Sequence, residues 1–265
     1  MDKDSVEHAV QDVNCIIYLA AIIPPFSEED PEHARSVNIE ETRNLVRVAE
    51  KLDSKPKLVY ASSVSTFGHT MHLDPPRKAD EPLVAMDIYT KTKIECEKIV
   101  KESTLPWTIL RFTAVPPLTI NKNMDSMLFD ILLDQRFEFV HTRDVGLACA
   151  NTIEANTTEK TLLIGGGKTA QMLQKEFISR MMEAMGIGML PESAFKVAKK
   201  PDEYFYTDWV DTEESQRLLK FQTRTYEDYI NDLKKQLGAM QYVTKLFRPL
   251  ARSQILAASP YYKRD

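Results

Sequence analysis

Three short apolar runs, "NCIIYLAA" (14–21), "KLVYASS" (57–63) and "WTILRF" (107–112), are each separated from the next by a stretch long enough for a helix. That spacing restricts the fold more than any other feature. Short runs rich in β-branched and aromatic side chains, with no polar alternation, belong in strands covered on both faces. The segments between them have the other period. In "PEHARSVNIEETRNLVRVAEKL" (31–52), Val37, Leu45, Val48, Ala49 and Leu52 recur at helical spacing behind Pro31 near the start. A loop rich in Pro, Asp and Gly follows the second run, and "DIYTKTKIECEKIV" (87–100) then reads as an amphipathic helix. Strands alternating with helices predict βαβ units and a parallel sheet with helices on both faces. "FEFV" (137–140) is expected to be a fourth strand. From about residue 160 the pattern changes to "TLLIGGG", a Met-rich helix over 170–186, "TYEDYINDLKKQLGAM" and a basic tail. The expected architecture is an α/β, Rossmann-like doubly wound parallel sheet in residues 1–160, with a smaller lobe in 161–265.

Composition excludes several classes of function. The net charge of -5 gives no basic face for phosphate backbones, so nucleic acid is not an expected partner. Cys15, Cys96 and Cys149 are far apart and form no C-x-x-C pair, which suits a reducing compartment and no zinc site. His69 and His72 in "GHTMH" have no carboxylate or thiol cluster nearby and are expected in a solvated loop. No apolar run is long enough for a membrane span, and the charged start "MDKDSVEH" is not a signal peptide. A cytoplasmic location is the default expectation.

The residues with chemistry gather around one crossover. In an open α/β sheet the ligand crevice lies at the carboxyl ends of the strands. Ser62 and Ser63 end the second run, and Tyr89 and Lys93 sit four apart at the start of the next helix. A tyrosine with its ordinary pKa of ~10 is a poor base at neutral pH, but a nearby ammonium would lower that value. Tyr89 is therefore a candidate proton donor and acceptor toward an alcohol or ketone, and a serine hydroxyl can hold the reacting oxygen.

Six stretches, in order, carry a resemblance: "YLAA", "SVNIEETRNLVRVAE", "LVYASSVSTFG", "YTKTKIECE", "TILRFTAV" and "FVHTRDVGLA". Together they resemble the extended short-chain dehydrogenase/reductase family, which includes nucleotide-sugar epimerases and dehydratases and the 3β-hydroxysteroid dehydrogenase relatives. The resemblance covers residues 1 to about 167, and more faintly the rest. It implies that Ser63, Tyr89 and Lys93 are catalytic, with Lys93 also binding the nicotinamide ribose of NAD or NADP. It further implies cofactor contacts at Leu19, Ala20, Ala21, Asn38 and Thr113. The expected activity is that of an oxidoreductase, epimerase or dehydratase acting on a hydroxyl or keto group of a small molecule. The alternative is a non-catalytic binding or scaffold protein that retains the fold.

Two departures qualify that expectation. Nucleotide-sugar epimerases carry an asparagine after "LR-x-F", whereas this chain reads "LRFTAVPP". More important, no glycine precedes Gly68, so the Gly-rich turn that grips a cofactor pyrophosphate is missing upstream of the site. The chain is therefore expected to be N-terminally truncated, lacking on the order of 50 residues, a βαβ unit and part of the next. A sheet without its first strands should expose an edge, and the chain is expected to be poorly soluble or to pair there with a second copy, as a homo-oligomer, or with another protein.

The Gly cluster "IGGGKT" (164–169) fails as a P-loop, because the position five before Gly167 is Leu162. A strand-to-helix turn in the smaller lobe is expected there instead. The tail mixes Leu, Phe and Ile with Lys245, Arg248, Arg252, Lys263 and Arg264. Its composition is that of a basic amphipathic segment, and docking on its own domain is preferred to a membrane surface because Pro249 and Pro260 interrupt it.

Overall fold

The apolar run at the N-terminus forms the edge of a parallel sheet in the computed structural model, which describes residues 3–118 and 125–263. After helix α1 (Lys3–Ala9), strand β1 (Cys15–Tyr18) leads into the short helices α2 (Phe26–Glu29) and α3 (Pro31–Arg35). A π-helical turn over Ser36–Glu40 joins α3 to α4 (Glu41–Ala49). Strand β2 (Lys57–Ser63), helix α5 (Ile88–Lys101) and strand β3 (Trp107–Phe112) complete the next crossover. Helix α6 (Asp125–Asp130), strand β4 (Arg136–Glu138), helix α7 (Thr142–Glu154) and strand β5 (Lys160–Ile164) follow. The chain then continues through strand β6 (Gln171–Leu173) and helices α8 (Gln174–Ala184), α9 (Glu213–Leu219), α10 (Tyr226–Leu237), α11 (Met240–Leu246) and α12 (Arg248–Ala257).

The main sheet has the order β1-β2-β3-β5, and every pairing is parallel. Both faces are covered, which is why its strands lack polar alternation. Leu58, Tyr60 and Ile109 pack against Val6, Val46, Cys96 and Val100 on one side. Val59, Leu110, Leu162 and Ile164 pack against Ala148, Cys149, Leu219 and Phe221 on the other. The expected doubly wound α/β arrangement is the one present.

Two sequence expectations need correction. "FEFV" does not supply the fourth strand of the main sheet: β4 pairs antiparallel with β6 in a separate two-stranded sheet. Its side chains explain the difference. Phe137 and Phe139 lie 4.6 and 5.8 Å from the ring of Phe177, inside an aromatic core shared with Tyr226 and Tyr229. The fourth strand is "KTLLI", whose Leu162 and Ile164 reach the apolar layer under α7. The parallel sheet therefore runs to Ile164, and a boundary at residue 160 cuts its last strand.

The glycines after β5 do not lead directly into a helix. They turn into β6, and only then does α8 begin. A Cβ on Gly165 would lie 2.1 Å from Glu138 Oε1, so only glycine lets this turn close over that carboxylate. His69 also departs from expectation: it is half-buried, 6.2 Å from the ring of Tyr206, whereas His72 is exposed.

Candidate functional site

Strand β2 delivers Ser63 to the carboxyl edge of the sheet, and α5 returns past it with Tyr89 in its first turn and Lys93 one turn later. Helix α5 begins where it does because two carboxylates hold its free amides. Asp87 is the N-cap and accepts from Thr90 N at 2.7 Å, while Thr90 Oγ1 accepts from Asp87 N at 3.0 Å. Glu28 on α2 accepts from Ile88 N and Tyr89 N, both at 3.1 Å. Tyr206, from the segment before α9, donates its hydroxyl to Asp87. The N-terminus of the Tyr89 helix is thus tied to both the first crossover and the C-terminal lobe.

Ser63, Tyr89 and Lys93 come together. Ser63 Oγ accepts from Ser65 N at 3.2 Å and Ser65 Oγ at 2.8 Å, and it lies close enough to the Tyr89 phenol to pull that group's pKa down. Lys93 is 3% exposed; its ammonium donates to the Ala61 carbonyl at 2.7 Å and lies 4.9 Å from the ring centre of Tyr60 and 5.8 Å from that of Tyr89. Burial pushes the Tyr89 phenol up to about 12, with Ser63 pulling it down and Asp87 pushing it up by smaller amounts. Burial pushes the Lys93 ammonium down to about 8, partly offset by Cys96 and Glu97. The expected lowering of the tyrosine by the ammonium does not prevail. Lys93 is engaged by the Ala61 carbonyl, and desolvation of the phenolate outweighs its field. At neutral pH the phenol holds its proton, ready to donate.

The positions expected to meet a cofactor divide into two groups. Leu19 and Ala20 follow β1 and are exposed, Leu19 at 57%, while Ala21 is half-buried. Asn38 fastens this turn to α5. Its Oδ1 accepts from Ile22 N at 2.7 Å, and its Nδ2 donates to Ile22 O and Thr92 Oγ1, each at 3.0 Å. Asn38 is 2% exposed and has these partners inside the protein, so the geometry gives it a positioning task. Thr113, at the end of β3, donates both its amide (3.0 Å) and its hydroxyl (3.3 Å) to Ile164 O. Both groups are thus engaged inside the protein. The exposed Leu19–Ala20 turn, the Tyr89 phenol and the buried Lys93 are residues that a nicotinamide could meet. No Gly-rich strand-to-helix turn for a pyrophosphate precedes them in this chain.

A buried ion pair behind the serines escaped the sequence reading. Glu97 and Arg111 are each about 2% exposed and meet in a bidentate pair at 2.8 and 2.7 Å. Ser62 donates to the same Glu97 oxygen at 2.6 Å. The signal was present: an arginine inside the apolar strand "TILRF" needs a buried carboxylate. Glu97 stands four residues after Lys93, on the same face of α5. Among the described residues no cluster of His, Cys, Asp and Glu could hold a metal ion, and no helix is long and apolar enough to cross a membrane.

A parallel sheet with Ser63, Tyr89 and Lys93 at its carboxyl edge defines a Rossmann-like α/β fold. Comparison with known proteins gives the same class. Residues 1–106 match the 3-beta hydroxysteroid dehydrogenase/isomerase family. UDP-glucuronic acid 4-epimerase from Bacillus cereus, in complex with UDP-glucuronic acid and NAD, superposes with a TM-score of 0.71 at 21% identity, covering 90% of this chain and 81% of that one. UDP-glucose 4-epimerase from Thermotoga maritima gives 0.70 at 17% identity, covering 89% and 83%. A curated relative, methionine adenosyltransferase 2 subunit beta from Bos taurus, is 26% identical over 181 residues, 61% of this chain and 52% of its own length. The chain spans about half the length of that relative. The likeness to the 3-beta hydroxysteroid dehydrogenase/isomerase family thus covers residues 1–106 in sequence, and the likeness to the two epimerases, over about nine-tenths of the chain, is one of fold.

Proposed function

We propose that this chain carries the proton-transfer site of an NAD- or NADP-dependent oxidoreductase, epimerase or dehydratase acting on a hydroxyl or keto group of a small molecule. The observation that carries the proposal is the Ser63–Tyr89 contact with Lys93 buried beside it, at the edge where the 19–21 turn lies open. Ser63 would hold the substrate oxygen, and Tyr89 would give it a proton or take one away. Lys93 would place its charge beneath the phenol once a ligand excludes water, where an ammonium weighs more in favour of the phenolate. A bound nicotinamide would exchange hydride with the substrate carbon, its ribose next to Lys93 and its ring beside the Leu19–Ala21 turn. UDP-sugars, seen in the structural neighbours, are one substrate class to try. The absence of asparagine from "LRFTAVPP" favours other alcohols and ketones.

The test is nicotinamide absorbance with saturating NAD or NADP and a panel of UDP-sugars, steroid alcohols and small hydroxy acids. Tyr89→Phe should abolish any turnover while leaving the melting temperature within a few degrees of the wild type. Equal rates in the two proteins would refute the assignment. The match to an adenosyltransferase subunit supports a second reading, in which the fold serves a partner enzyme without catalysis. A chain that turns over nothing on the panel and co-purifies with an adenosyltransferase would favour that reading.

A further inference from the structure

Helix α11 and the first turn of α12 leave apolar side chains in water, whereas Ile255 and Leu256 at the far end of α12 pack against the core. On α11 and α12, Val243, Leu246, Phe247 and Leu250 follow the i, i+3, i+4, i+7 spacing of one helical stripe. That stripe faces outward, with exposures of 49, 77, 56 and 60%. Two arginines of α12 face the protein together with Ile255 and Leu256. Arg248 donates to Gly186 O at 3.0 Å and to Glu183 at 3.0 and 3.1 Å, and one nitrogen of Arg252 reaches the carbonyls of Ile187, Gly188 and Met189. The two arginines and the apolar end of α12 hold the segment down, and the stripe is left as an apolar ridge in water. Tyr242 and Met240, 70 and 60% exposed, extend it.

Charge indicates what covers the ridge. Residues 233–264 contain seven Lys or Arg and no Asp or Glu, in a chain whose net charge is -5. (Arg264 lies outside the described residues.) Lys245 is exposed within the stripe's own helix, and Lys263 is exposed just beyond α12. An open cleft of about 480 Å³ runs beside α12, lined by Arg248, Arg252, Ser253 and Tyr262 among others. Arg248 in its wall is already paired with Glu183, so the exposed Lys245 and Lys263 are the groups for a phosphate-bearing headgroup, while the ridge beside them suits acyl chains. Apolar and aromatic side chains that stand out from the lobe, with Lys245 and Lys263 exposed beside them, match an anionic bilayer surface.

We propose that α11 and the first turn of α12 form a peripheral docking surface for anionic lipid membranes, so that the exposed stripe lies in the headgroup layer. The tail is docked on its own domain, as expected, and the same docking presents that stripe outward.

Flotation of the full chain with phosphatidylcholine vesicles, with and without phosphatidylserine, tests this. The wild type should float with the anionic vesicles and at least about tenfold less with phosphatidylcholine alone. Added salt should weaken the binding. The triple variant Leu246→Glu, Phe247→Glu, Leu250→Glu changes only exposed side chains and should stay in the bottom fraction with an unchanged melting curve. Should that variant unfold, Lys245→Glu alone, at an exposed position, should still reduce flotation. The proposal is overturned if the wild type ignores anionic vesicles, or if folded variants float equally well. It is also overturned if light scattering finds a wild-type dimer that the triple variant abolishes without lipid, because the ridge would then be covered by a second copy.

Discussion

Replacing Arg111 with leucine removes two charge-assisted hydrogen bonds, at 2.8 and 2.7 Å, from a carboxylate that water hardly reaches. Breaking a buried pair from one side costs about 3–5 kcal/mol, because the remaining charge stays buried. Ser62 at 2.6 Å and Lys101 at 3.4 Å still face Glu97, but Lys101 is 40% exposed and its help is screened by solvent. The low end, about 3 kcal/mol, is therefore expected. For a chain of this size that corresponds to a fall of roughly 6–12 °C in melting temperature. Urea denaturation followed by circular dichroism measures it.

The same variant makes a prediction about sign. In the wild type, burial pushes the Glu97 carboxyl up, but Arg111, Ser62 and Lys101 together hold it below its ordinary value. That contribution is present above the unfolded value of about 4.5 and is lost as pH falls through the folded one. Without Arg111 the burial remains and the carboxyl should move above its ordinary value. Its penalty then grows with pH, and the deficit of the variant should shrink on acidification toward pH 5. A deficit under about 1 kcal/mol, or one that widens as pH falls, would refute the reasoning. The double replacement of Glu97 and Arg111 by leucine should recover much of the loss, since no lone charge is left.

Two further outcomes are expected. Burial pushes the Glu138 carboxyl up to about 7, although Val210, Gln171 and Gly167 donate to it. A carboxyl raised in this way costs stability as pH rises from its unfolded value through the folded one, by up to ~1.4 kcal/mol per pH unit. The urea midpoint should carry that slope between about pH 5 and 7, and Glu138→Gln, fixed in the neutral form, should lack it; identical slopes would contradict the assignment. Titration calorimetry of NAD or NADP against this 265-residue chain should give at best millimolar affinity, about -4 kcal/mol, because no Gly-rich turn meets the pyrophosphate. Micromolar binding would mean that another segment supplies the grip.

How much of this could be read from the sequence depended on the range of the interactions involved. β1, β2 and β3 were legible because their β-branched runs report burial on both faces directly. Ser63, Tyr89 and Lys93 were legible because one strand end and one helix turn supply all three. "FEFV" misled because a short apolar run fits either of two sheets, and the choice was made by Phe177, Tyr226 and Tyr229, contributed by distant helices. The contact from Tyr206 to Asp87 joins residues 119 apart, and Tyr206 lies in a segment with no periodic pattern to mark it. The orientation of the C-terminal segment was hidden for a similar reason. Its apolar stripe and its basic residues were visible, but which side faced the lobe was decided by carbonyls at 186–189.

The central claim is that the open edge beside Tyr89 receives a nicotinamide. Amide chemical-shift mapping of the uniformly labelled chain with millimolar NADH tests it without requiring a known substrate. Leu19, Ala20, Ala21, Ser63 and Tyr89 should shift together and saturably, and Lys93→Met should weaken the effect. Shifts confined to the C-terminal lobe, or none at any of the five, would contradict the account.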